Sequence, residues 1–87
     1  MKSMLIHFAK DHGNGRWELA GRCCEAPLFI DDELIVEGRN ATRMRVVSIE
    51  LYGKKIDSLP SGYVGNLFVQ QVPPVQPLMK LVGYHPD

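Results

Sequence analysis

The chain has no run approaching the roughly 18 consecutive apolar residues that a membrane-spanning helix needs. Its opening, MKSMLIHFAKDHG, lacks a signal-peptide core and a small-residue cleavage site. The expectation is a cytoplasmic protein with no membrane partner. Net charge is also missing: ten Lys and Arg balance ten Asp and Glu, so bulk electrostatics point to no polyanionic partner. Cysteine is scarce, and Cys23 and Cys24 are adjacent. On a strand their side chains point to opposite faces, which disfavours a disulfide between them, and they have neither zinc-site nor CxxC spacing. One buried and one partly exposed thiol is expected. No segment keeps helical apolar spacing beyond about two turns. No GxxxxGK[ST] run occurs, which removes phosphate-loop nucleotide chemistry, and no cofactor is expected.

What remains is strand periodicity. Eighty-seven residues make one domain, 1–87, near the small end of what buries a sufficient core, where closing a sheet usefully removes its edges. Met4, Ile6 and Phe8 alternate with Ser3, Leu5, His7 and Ala9 in a first strand with one apolar face. Asp11 to Gly15 is a turn. A second strand follows, with Trp17, Leu19, Gly21 and Cys23 on one face and Arg16, Glu18, Ala20 and Arg22 on the other. Pro27 interrupts, and Asp31-Asp32 turns into a strand from Glu33 to Glu37 with Leu34 and Val36 inward. The longest strand runs from about Arg43 to Tyr52. There Met44 and Val46 share one phase while Val47, Ile49 and Leu51 share the other, which predicts a β-bulge or a strand covered on both faces. Gly53-Lys54-Lys55 is a turn, Ile56 to Leu59 a brief extended piece, and Tyr63 to Val72 another strand. Pro73 to Pro77 is a stiff crossing, because proline donates no ladder hydrogen bond, and 78–84 supplies a closing strand. The fold class is all-β, a small six- to seven-stranded antiparallel barrel of Greek-key type.

The order of certain residues resembles the second-domain barrel of translation GTPases, found in elongation factor Tu and its relatives. Gly15 and Gly21 flank Trp17 and Leu19 as that family's Gly-containing hairpin does. Ala26, Leu28, Asp31, Asp32 and Leu34 follow its small-aliphatic-turn-acid-aliphatic pattern. Val47-Ser48-Ile49 is similar to its core strand, Tyr52 to its aromatic, Gly62 to its later glycine, and Leu67 and Val69 to its apolar positions. The resemblance covers roughly residues 4–72. Ala26 and Asp31 stand where the family usually has glycine, and the prolines stand where it has a polar turn. The resemblance implies a barrel that, in full-length factors, packs on a GTPase domain and in some holds the aminoacyl end of a transfer RNA. What it implies about activity is limited, because fold is not function.

Charge is distributed in blocks. Glu25, Asp31, Asp32, Glu33 and Glu37 form an acidic stretch; Arg39, Arg43, Arg45, Lys54 and Lys55 follow, against Glu50 alone. The blocks either neutralise each other across paired strands or leave a basic face for RNA or an acidic protein. Two surfaces are therefore expected: Arg39, Arg43, Arg45, Tyr52, Lys54 and Lys55, suited to RNA strands, and Phe29, Asp31, Asp32, Glu33 and Tyr63, suited to a protein partner. His7, His12 and His85, and a Cys23 or Cys24 dyad with His7, are the candidates for catalysis or metal work. Packed or solvated side chains are the expectation for each. Asp31-Asp32-Glu33 lacks the alternating oxygens of a calcium loop. The reading is a non-catalytic module binding another protein, as adaptor or immunity-type inhibitor. The alternative is an RNA-binding accessory domain, and a homodimer through the proline-rich tail and last strand is a further arrangement.

Overall fold

The computed structural model describes residues 2–70 and 79–84, without the side chains of Asn40 and Ala41. The expected crossing at Pro73–Pro77, Val72, Leu78 and His85 lie outside the described residues. Nine strands follow one another: β1 Lys2–Gly13, β2 Arg16–Glu25, β3 Leu28–Phe29, β4 Glu33–Val36, β5 Arg39–Leu51, β6 Lys54–Ile56, β7 Ser58–Leu59, β8 Val64–Gln70 and β9 Lys80–Gly83. No helix occurs among the described residues, and none is therefore long and apolar enough to cross a membrane.

The main sheet runs β4-β9-β1-β2-β8-β5-β6, and β4 also pairs with β5. That pairing closes a six-stranded antiparallel ring and leaves β6 as an extra strand on β5. The all-β expectation holds. Leu28 of β3 faces Leu59 of β7 across a separate two-stranded ribbon. Both are fully buried within the core cluster of Met4, Ile6, Leu19, Leu34, Met44, Val46, Ile49, Leu67, Val69 and Leu81. Each such aliphatic contributes about 1.5–3 kcal/mol of transfer free energy.

Strand length explains the bulges. At about 3.3 Å per residue, the 12 residues of β1 and 13 of β5 would each span roughly 40 Å if straight, yet the longest dimension is 31 Å. Both must bend. In β5 the register shifts between Val46 and Ser48, so Met44, Val46 and then Ile49 all point inward, as the phase change predicted. In β1 the shift falls between Ile6 and Phe8. This corrects the expected first strand: Met4 and Ile6 are buried, but Phe8 turns outward and Ala9 takes the inward phase. The bend has a steric condition. A Cβ on Gly21, which faces Ile6, would sit 2.1 Å from the Leu5 carbonyl oxygen.

A second correction concerns a turn. Leu51 pairs with Lys54, so the two-residue loop is Tyr52-Gly53, and Lys54 and Lys55 lie on a strand. Both loop residues have positive φ, 54° and 77°, as the twist of a two-residue hairpin requires. The β1–β2 loop reaches nearly the same geometry with Asn14 and Gly15, at 57° and 75°. Asparagine is the usual signal for such a loop and tyrosine is not, which is why the sequence placed the turn one residue late.

Candidate interaction surface

The acidic and basic blocks meet across β4 and β5. Arg45 Nη1 donates to Asp31 Oδ1 at 3.0 Å, and Arg43 Nε lies 3.6 Å from Glu33 Oε2 with its guanidinium 4.8 Å from the Tyr84 ring centre. Lys2 Nζ donates to both oxygens of Asp32, at 2.9 and 2.7 Å, and stands 4.7 Å from the centre of the Phe29 ring. Asp32 Oδ2 also accepts from the Phe29 backbone N–H at 2.8 Å. Lys80 approaches Glu37 at 3.7 Å. Cross-strand neutralisation is thus the geometry found, and it holds the β3–β4 turn against the barrel.

The two expected surfaces are regrouped. Arg39, Arg43 and Arg45 lie beside β4, whereas Tyr52, Lys54 and Lys55 lie at the far end of β5 and on β6. The seven residue steps from Arg45 to Tyr52 span roughly 20 Å of strand, so these six do not form one patch. Phe29, Asp31, Asp32 and Glu33 stay together in the ion-pair network, but Tyr63 does not join them. It lines a shallow concavity of about 440 Å³ with Tyr52, Arg22, Gly62 and Val64. One tyrosine from each expected surface therefore shares a site with Arg22 and Val64, which sequence reasoning had not selected.

Pairing register builds this site. Arg22 of β2 faces Val64 of β8, both on the outer side of their strands. One pleat away, Phe8, Ala20, Asn66, Glu50 and Lys55 form a row across β1, β2, β8, β5 and β6. Arg22 Nη1 donates to the Gly62 carbonyl at 3.0 Å, which anchors its guanidinium at the concavity. The Cys23 N–H to Tyr63 O bond at 2.9 Å and the Gly62 N–H to Cys23 O bond at 2.7 Å fix the Gly62-Tyr63 turn to β2. Tyr52 is 87% exposed, and Phe8, Tyr63 and Val64 are each about half exposed. The outer phase of Arg22 was legible in the alternation of β2; its approach to Tyr52 and Tyr63 depended on the β2–β8 register.

The titratable candidates are dispersed. His7 is exposed at the β1 bulge while Cys23 faces the core, so that pair does not meet. Cys24 is half-buried and lies opposite Ser3. Both thiols are free. Cys23 Sγ donates to Ala26 O at 3.3 Å, and burial pushes its thiol pKa up, away from a reactive thiolate. His12 Nε2 lies 2.9 Å from Glu18 Oε1, and Asn66 Nδ2 donates to Glu18 Oε2. The His12 hydrogen bond, opposed by burial and aided by Asn66, lowers the Glu18 pKa. Among the described residues, no three His, Cys, Asp or Glu gather as a metal site.

The fold and this surface define a small closed β-barrel with an aromatic concavity on its outer wall. No protein-family model matches the chain, and no curated protein matches it.

Proposed function

We propose that this protein is a non-catalytic interaction module that binds another protein through the outer face carrying Arg22, Tyr52, Tyr63 and Val64, in the manner of an adaptor or an immunity-type inhibitor. One observation carries the reading. Six large apolar side chains are exposed among the described residues, and three of them, Tyr52, Tyr63 and Val64, line one concavity with Arg22. Aromatic anchors beside an arginine are the usual composition of a protein-binding hot spot. The backbone of Tyr52 adds support. A tyrosine at positive φ costs of the order of 1 kcal/mol, so the fold alone gives no reason for this residue at the loop tip.

The RNA alternative draws on Arg39, Arg43, Arg45, Tyr52, Lys54 and Lys55; Arg43 and Arg45 face Glu33 and Asp31, and that weakens it. We also read the barrel as related to the second domain of translation GTPases. Asp31 supports this, since it adopts φ 73° at a position where that family has glycine. Affinity capture from nuclease-treated native lysate tests the function. A stoichiometric protein retained by wild type and lost with Tyr63→Ala, in a variant of unchanged melting temperature, is expected. Recovery that depends on intact RNA contradicts the reading.

A further inference from the structure

We infer that this concavity takes a polyproline II segment of the partner, with prolines three residues apart and carbonyl groups turned to Arg22 and the tyrosine hydroxyls. The inference rests on the protein-binding reading and adds the conformation of the ligand.

Size limits the occupant first. Tyr52 is 87% exposed and Tyr63 48%, so at about 200 Å² per tyrosine the two rings offer roughly 270 Å². That is about a third of the roughly 800 Å² per side that a stable interface between folded proteins covers, which suits a short segment. Charge does not choose among segments, because Lys54 and Lys55 on β6 are matched by Glu50, opposite Lys55, and by Asp57. Strand order decides how the segment is held. β2 lies between β1 and β8, and β8 between β2 and β5, so an added strand has no open edge to pair with here. Side chains alone must hold the ligand. Arg22 uses one N–H on the Gly62 carbonyl; its other N–H groups and both tyrosine hydroxyls have no partner among the described residues. All of these groups donate, so the ligand supplies carbonyl oxygens.

A polyproline II helix has no internal hydrogen bonds, leaves its carbonyls open and is ordered before it binds. That order matters, because a contact this small cannot offset the entropy of straightening a flexible chain. Its pitch also fits. The β2–β8 register sets Arg22 opposite Val64, and continuing the β5–β8 register two residues past Glu50–Asn66 brings Tyr52 beside Val64. Two strand spacings therefore separate Arg22 from Tyr52, roughly 10 Å, and one polyproline turn of three residues advances about 9 Å. Ligand residues three apart thus reach both sides of the concavity. A nucleic acid is less favoured, since one arginine neutralises few phosphates.

Selection of random 12-residue peptides displayed on phage against the folded protein tests this. Enriched sequences are expected to carry two prolines three residues apart. A synthetic peptide of that sequence should bind at least about tenfold more weakly to Tyr52→Asn. It should lose binding when either proline is replaced by alanine, and its affinity should change little as salt is raised. Enrichment of proline-free peptides that still require Tyr52 would overturn the polyproline ligand while leaving the protein-binding reading intact. Self-association of the protein that Tyr52→Asn abolishes would replace that ligand with a second copy. Binding of a labelled 12-nucleotide uridine strand, lost with Tyr52→Asn and unmatched by any peptide, would replace it with RNA. Enrichment of no peptide and no binding of that strand would remove both readings together.

Discussion

Replacing Tyr52 by asparagine separates function from stability at a single position. The side chain is 87% exposed. Of the roughly 200 Å² a tyrosine offers, about an eighth is covered, and losing it costs about 0.6 kcal/mol at 25 cal/mol per Å². Against this, φ at 54° penalises tyrosine by roughly 1–2 kcal/mol, much of which asparagine relieves. Asn-Gly is also the favoured pair for a two-residue hairpin loop, as Asn14-Gly15 already illustrates within this chain. The two terms leave stability unchanged or raised by up to about 1 kcal/mol, equivalent to roughly 4–8 °C in melting temperature for a domain of this size. Binding should nevertheless fall at least about tenfold, as expected when a central aromatic anchor is truncated. Urea unfolding and a binding titration on the same preparation check both halves. Destabilisation by more than about 1 kcal/mol would refute the reasoning, because Tyr52 would then be serving the fold.

Three further outcomes follow from the packing and the charges. Gly21→Ala should destabilise by about 1–3 kcal/mol or more, because a Cβ placed 2.1 Å from the Leu5 carbonyl oxygen forces β1 and β2 apart; thermal unfolding within a degree of wild type would mean the Ile6–Gly21 register is wrong. Asp32→Ala should cost about 1–3 kcal/mol, through loss of its bonds to Lys2 and the Phe29 N–H, whereas Asp31→Asn, which suits the positive φ there and removes only the charge facing the solvent-exposed Arg45, should cost at most about 1 kcal/mol. Glu18 has a folded-state pKa below its unfolded one, so its contribution is present above the unfolded value of about 4.3 and is lost as pH falls through the folded value. Wild type should therefore lose its advantage over Glu18→Gln in urea unfolding as pH is lowered through that window, and a gap that stays constant down to about pH 2 would exclude the linkage.

The fold was legible where side-chain alternation was uninterrupted. Trp17, Leu19, Gly21 and Cys23 share the inward face of β2, and the phase change at Val47 marked a real bulge. The bulge in β1 escaped because Met4, Ile6 and Phe8 read as one unbroken face; only the close approach of Gly21 to Leu5 indicates where the strand bends. The candidate site was half legible. Tyr52 and Tyr63 were selected for chemical character, yet assigned to different surfaces, since their meeting depends on the pairing of β8 with both β2 and β5. Arg43 and Arg45 were read as a possible ligand surface, and the sequence also allowed the neutralisation by Glu33 and Asp31 that the β4–β5 pairing produces.

Photo-crosslinking in the native cell tests the central claim most directly. A benzophenone amino acid placed at Tyr63 should form a covalent adduct with a protein, resistant to nuclease, while the same group at Phe29, on the ion-paired side, should form none. An adduct at position 29 alone, or an adduct at 63 that nuclease digestion removes, would contradict it.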